Sequence, residues 1–313
     1  MQVSRRSVLL AALAAGVPAW ASCTSGGPPA PGELVLATGP DGAVFREVGG
    51  ALAQALADEF PDTRVVARPT RASVENIRLL GAGEVHLGLS SLDPLMGQAL
   101  LSADDPNGIS AVGRLYDSFL QIVVPAGAPV YRVADLVGKR VSFGPRESGT
   151  EFTATRLFEL LGVEVEALRM AHADAAQRLA AGTIDALLAL TGIPTPAITG
   201  LLGSFPVRLL DLPGEATELA RVYPGPYVPV TIPATTYGAL GPCQTFAVPN
   251  LLLARTALDP AVVEVVTRTV YTQSERIAAG HPEASRINVR TGIATGQVPL
   301  HKGAERWFRS VKR

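Results

Sequence analysis

Glu33-Leu34-Val35-Leu36-Ala37-Thr38-Gly39-Pro40-Asp41-Gly42-Ala43-Val44-Phe45 is the stretch that decides how this chain folds. The apolar run 34–37 is a short strand buried on both faces, as strands covered by helices are. Residues 39–42 hold two glycines and a proline and form a turn. Beyond it Val44, Val48, Leu52, Ala55 and Leu56 recur on one helical face, which predicts an amphipathic helix over 43–60. The unit then repeats: a strand at 64–67, a helix over 73–80 with Ser73 as its cap, and a strand at 85–89. Strands alternating with helices predict a parallel sheet covered on both sides.

The pattern restarts further on. Residues 121–124 are an apolar strand, 140–143 open a second α/β unit, 149–161 and 174–181 are helices, and 184–190 is another strand. Residues 196–202 start a further helix. The proline-, glycine- and tyrosine-rich stretch 212–241 reads as a long ordered loop. A strand at 245–254 and a helix over 260–279 follow, and Trp307 with Phe308 read as aromatic core. Two apolar strands, 120–125 and 246–253, connect the two α/β units. This predicts an α/β fold of two lobes with two crossover hinge strands: residues 33–120 plus 244–313 form lobe I, and 121–243 form lobe II. Ligands of such sheets sit at the carboxyl ends of the strands, and here those ends face one cleft.

The N-terminus points to export. Ser4-Arg5-Arg6-Ser7-Val8-Leu9-Leu10 followed by an apolar run to Ala21 has the form of a twin-arginine signal peptide, 1–22. That run is too short for a membrane span, which takes roughly 20 apolar residues. Ala21-Ser22-Cys23 resembles a bacterial lipobox, with Trp20 where leucine is usual, so Cys23 is expected to carry a lipid. Residues 23–32 are then anchor and tether, and the protein is held outside the cytoplasm at the membrane surface. With Cys23 lipidated, Cys243 is the one remaining cysteine and no intramolecular disulfide forms. A net charge of −1 gives no field for nucleic acid. The histidines 86, 172, 281 and 301 lack metal-ligand spacing, and no nucleophile elbow or phosphate loop is present. No metal, cofactor or catalytic residue is therefore assigned.

Three strand-to-helix junctions share one chemistry: Thr38-Gly39 through Gly42, Ser73-Val74-Glu75-Asn76, and Ser148-Gly149-Thr150-Glu151. Each offers hydroxyl or glycine backbone at a helix N-terminus, where unpaired N–H groups favour anions. Each also reads as an ordinary cap. Arg46, Arg71 and Arg146 lie beside these junctions, and Arg71 is the best candidate for a counter-charge.

Across nearly the whole chain these segments, with Leu115-Tyr116, Gly182-Thr183-Ile184-Asp185-Ala186, Pro194-Thr195-Pro196-Ala197-Ile198, Ala247-Val248-Pro249 and Pro299-Leu300-His301, form an ordered set. It resembles the TAXI-type solute-binding proteins of TRAP transporters. The resemblance implies a type II periplasmic-binding-protein fold, in a monomer that captures a small carboxylate, glutamate-like or a dicarboxylate, for a membrane permease. The ligand-binding residues it implies, together with the junctions, are Thr38, Gly39, Phe45, Arg71, Ser73, Asn76, Ser91, Tyr116, Ser148, Gly149, Thr150, Thr191, Gly192 and Pro194. Departures from the family lie at Phe45, where tyrosine is usual, at Arg46-Glu47, at Arg71, where glycine is usual, and at Ser91-Leu92. Two other readings stay open: an accessory lipoprotein that senses the ligand for a signalling partner, and an extracytoplasmic enzyme using Cys243 or a cleft carboxylate.

Overall fold

The structure, a computed structural model, describes residues 31–312. The signal peptide and Cys23 lie outside the described residues. The chain begins with β1 (Glu33–Ala37), α1 (Val44–Glu59), β2 (Arg64–Arg68), α2 (Ser73–Ala82) and β3 (Leu87–Ser91). A 17-residue strand, β4 (Ile109–Pro125), carries it into the second half. There β5 (Arg140–Ser142), α3 (Gly149–Leu161), β6 (Glu166–Leu168), α4 (His172–Ala180), β7 (Ala186–Thr191), α5 (Pro196–Leu202) and β8 (Val207–Leu209) follow. Then come α6 (Pro213–Val222), β9 (Val228–Ile232) and the returning strand β10 (Cys243–Arg255). Helices α7 (Pro260–Thr272), α8 (Ser274–Ala278), α9 (Val289–Gly292) and α10 (Lys302–Val311) close the chain. No helix among the described residues is long and apolar enough to cross a membrane.

The strands form one mixed sheet in the order β2-β1-β3-β10-β4-β7-β5-β6, with β8 on β4 and β9 on β10. Within β2-β1-β3 and within β7-β5-β6 the pairing is parallel. The central β10–β4 pair is antiparallel and has register shifts at Pro249/Leu251 and Leu252/Leu253. Two parallel three-stranded units thus flank two long crossover strands, the two-lobed arrangement expected from the sequence.

Packing explains the elements. Val44, Val48, Leu52, Ala55 and Leu56 of α1 are buried in one cluster with Leu34 and Leu36 of β1 and Leu87 and Leu89 of β3, as their spacing predicts. Helix α3 starts where Ser148 caps it, Oγ accepting from Glu151 N–H at 3.0 Å, and stops at Gly162 in the left-handed conformation. Trp307 and Phe308 pack on Tyr271 with ring centroids 5.5 and 5.1 Å apart, and form core as expected.

Several elements differ from the expectation. Residues 212–241 hold α6 and β9 rather than one long loop. Pro213 occupies the first turn of α6, where its missing N–H costs nothing. Pro229 is tolerated in β9 because that strand pairs only with β10. The helix over 260–279 breaks at Gln273, whose φ/ψ of −116°/25° is not helical. Strand β3 runs two residues later than expected, which places Ser91 at its carboxyl end. Ser73 does not cap α2: Ala72 holds that position, and the Ser73 hydroxyl turns to Ser91, accepting from Ser91 N at 3.1 Å.

Candidate functional site

A small cavity lies between the lobes. All six parallel strands deliver side chains or backbone to it from the segments at their carboxyl ends. From lobe I, β1 leads to Pro40, Ala43 and Phe45, β2 to Arg71 and Ser73, and β3 to Ser91. From the opposite lobe, β5 leads to Ser148, Gly149 and Thr150, β6 to His172, and β7 to Leu190 and Thr191. Ser118 on β4 completes the floor, exchanging hydrogen bonds with Asn250 of β10.

The lobes touch around this cavity. Val44 N–H donates to Thr191 Oγ1 at 3.1 Å, and Glu75 N–H to the Glu147 carbonyl at 2.9 Å. Asp93, fully buried in lobe I, accepts at Oδ2 from Thr153 Oγ1 (2.5 Å) and Tyr227 OH (3.1 Å) of the other lobe, and burial raises its pKa. Gly149 makes the closest approach. A Cβ there would lie 2.7 Å from Ser91 Oγ and 2.8 Å from Ser73 Oγ. Only a glycine lets the start of α3 meet both serines.

The three junctions are not equivalent. At α1 the Val44 N–H is taken by Thr191, and at α2 the Glu75 N–H is taken by Glu147. At α3 the Ser148 hydroxyl accepts from Glu151 N–H, which leaves its proton free. The N–H groups of Gly149 and Thr150 have no intrahelical acceptor, and both residues line the cavity. The positive end of the 13-residue α3 therefore faces the cavity.

Of the residues singled out in the sequence, Phe45, Arg71, Ser73, Ser91, Ser148, Gly149, Thr150 and Thr191 line the cavity. Thr38, Gly39, Asn76, Tyr116, Gly192 and Pro194 do not. Thr38 Oγ1 donates to the Arg68 carbonyl at 2.9 Å. Gly39 packs against Phe45 and Gly192 against Val44 and Glu283. Asn76 is fully buried and donates to the carbonyls of Thr38 (2.8 Å) and Leu89 (2.7 Å), tying α2 to the sheet. Tyr116 sits behind Phe45, edge to face at 6.5 Å, with its hydroxyl unpartnered among the described residues. The Pro194 carbonyl lies 2.9 Å from His281 Nε2.

The expectation of a free counter-charge at Arg71 needs correction. Its guanidinium pairs with Glu75 (3.1 Å) and, across the cleft, with Glu147. The hydrogen bond to Glu75 raises its pKa, and hydrogen bonds from Arg71 lower that of Glu75 against the effect of burial. Arg71 thus clasps the lobes together rather than offering an unspent charge. Arg46 pairs with Asp41 at 3.7 Å, outside the lining.

Sequence reasoning missed two polar lining residues. His172 follows β6 at a fourth strand-to-helix junction, a signal hidden by starting that helix two residues late. Burial pushes its pKa down to about 4, so the ring is neutral. Ser118 lies two residues from Tyr116 on β4, and only the pairing with Asn250 reveals its position. Elsewhere, Glu283 is 1 % exposed, and burial pushes its carboxyl up to about 7. His301 caps α10 by accepting from Gly303 N–H.

Two lobes of parallel strands, joined by two crossover strands and meeting on a small cavity, are the architecture of the periplasmic binding proteins. The chain is similar to an ancestral arginine-binding protein solved with arginine, at 14% identity over 82% of this chain and 98% of that one, TM-score 0.51. It is also similar to the periplasmic aliphatic sulphonate binding protein SsuA of Escherichia coli, at 18% identity over 90% of this chain and 79% of that one, TM-score 0.48. Residues 36–311 match the model of the NMT1-like family, and the chain belongs to that family.

Proposed function

We propose that this protein is an extracytoplasmic solute-binding lipoprotein that holds a small carboxylate between its lobes and hands it to a TRAP-type permease. The observation that carries this reading is the polarity of the cavity. Ser148 has a free hydroxyl proton. Gly149 and Thr150 add N–H groups at the end of α3. These are all donors, and Phe45, Ala43 and Leu190 cover the remaining wall with apolar surface. A donor-rich, partly apolar chamber suits a carboxylate on a short carbon skeleton.

The magnitudes agree. Micromolar binding takes about 8 kcal/mol. A partly buried helix N-terminus contributes up to ~2 kcal/mol, and hydrogen bonds to a charged group about 1.5–3 kcal/mol each. Three or four such bonds supply about 5–12 kcal/mol toward that net figure without a free arginine, before the cost of association. The TAXI resemblance supports the permease as partner. The arginine pair and Ala21-Ser22-Cys23 support export and anchoring. Cys243 does not line the cavity, and burial pushes its thiol up to about 12 while Sγ donates to the Leu210 carbonyl, so it is no nucleophile.

Calorimetry with L-glutamate and succinate, with maltose as the uncharged control, tests the reading. At least one acid binds, and Ser148→Ala weakens it tenfold or more. Binding of maltose alone, or an unchanged affinity in Ser148→Ala, overturns the reading.

A further inference from the structure

We propose that His172 is a ligand-binding residue, present as the Nδ1-protonated neutral tautomer, whose ring N–H requires an unprotonated acceptor oxygen on the bound molecule. The inference rests on the interlobe cavity being the binding site and deepens that reading.

It follows from counting protons. Thr150 Oγ1 is a buried hydroxyl with two neighbours: Leu190 N–H, which can only donate to it (3.1 Å), and His172 Nε2 (3.2 Å). A threonine hydroxyl has one proton to give. If Thr150 donates to Nε2, the Thr150 hydroxyl is satisfied both as donor and as acceptor and Nε2 is the acceptor, so the proton of the neutral ring sits on Nδ1. In the opposite arrangement Nε2–H donates to Thr150. The Thr150 proton then has no acceptor among the described residues, and Nδ1 also stays unpaired. The first arrangement leaves one unmet group and the second leaves two. An unmet buried polar group costs about 1–3 kcal/mol, which selects the first.

The one group left over is Nδ1–H. His172 is 3 % exposed and lines the cavity, yet Nδ1 meets no partner among the described residues. Burial alone keeps the ring neutral, and no carboxylate contributes to holding a second proton there. A buried donor at the wall of a chamber already lined by donors is satisfied by the ligand. A carboxylate or other anionic oxygen meets it. An ammonium or a hydroxyl turned to donate does not.

The test uses the full chain labelled with 15N. Ring nitrogen shifts of His172, assigned by their loss in His172→Asn, report Nδ1 protonated at neutral pH. Titration with succinate and L-glutamate then moves the Nδ1–H resonance. In calorimetry with the acid that binds, His172→Asn, whose amide N–H replaces Nδ1–H, stays within about threefold of wild type. His172→Gln, which places its amide at the Nε2 position, loses tenfold or more. A ring protonated at Nε2, or equal affinities for the two variants, overturns the proposal. An acid that binds without moving the His172 resonances sinks this inference alone, whereas binding of neither acid sinks the carboxylate reading with it.

Discussion

Glu283 and His172 make opposite contributions to stability as pH changes. Both are buried ionisable groups held in their neutral forms, so each costs stability at pH values where its unfolded counterpart would be charged. For Glu283 the ordinary value is 4.5 and the folded value about 7. Between these the native protein keeps a proton that the unfolded chain has released, so stability falls as pH rises through that window. At about 1.4 kcal/mol per factor of ten in proton affinity, the gap amounts to about 3 kcal/mol. For His172 the ordinary value is 6.5 and the folded value about 4. Here the unfolded chain takes up a proton that the native ring refuses, and a similar loss of about 3 kcal/mol develops as pH falls from 6.5 to 4. Glu283→Gln should therefore melt level with wild type near pH 4 and above it at pH 8. The Arg286 partner is more than half exposed, so losing its 3.1 Å pair with Glu283 removes little of the gain. His172→Asn should show the mirror image, its melting temperature rising relative to wild type as pH drops below 6.5. For a domain of 150–250 residues, about 2 °C per kcal/mol makes each difference about 6 °C by scanning calorimetry. A Glu283→Gln difference that stays flat from pH 4 to 8 would refute the burial argument, as would one that grows toward acid.

Three further outcomes follow from named contacts. Gly149→Ala puts a Cβ within 2.8 Å of Ser73 Oγ and Ser91 Oγ, so the lobes cannot meet as they do here; small-angle scattering should show a larger radius of gyration than wild type at saturating succinate, and an unchanged radius argues against this closed contact. Ala72 holds φ 90° and ψ −142° at the start of α2, a region that suits glycine; Ala72→Gly should raise stability in urea by about 1 kcal/mol, and a loss would show that the backbone there is unstrained. Cys23→Ser should shift the protein from the membrane fraction to the soluble one, and unchanged fractionation would remove the lipid anchor from the account.

What was legible in the sequence divides along physical lines. Helix α3 was read to the residue, because Ser148 caps it, its apolar face is regular and Gly162 ends it. Helix α5 was equally plain, with Pro196 at its first position. Such signals are local. The long strand β4 was read only from 120 onward, because Gly113 and Arg114 look like a loop until β10 is seen beside them. The site was half legible for the same reason. Ser148, Gly149 and Thr150 stood out as a helix start, whereas the commitment of Arg71 to Glu147 depends on a residue 76 positions away. The roles of Asn76 and Tyr116 depend on which way each side chain turns from the sheet. The satisfaction of Thr150 by Leu190, which fixes the state of His172, joins a helix start to a strand end that no sequence pattern connects.

The central claim is that an acid lies between the lobes on the N-terminus of α3. The most direct measurement is a crystal structure of the protein with whichever of L-glutamate and succinate binds it in calorimetry. A carboxylate is expected within hydrogen-bond distance of Ser148 Oγ and the N–H groups of Gly149 and Thr150, with His172 Nδ1 donating to the same molecule. Density for the acid outside the cleft would contradict it, and so would an acid in the cleft whose carboxylates make none of these bonds.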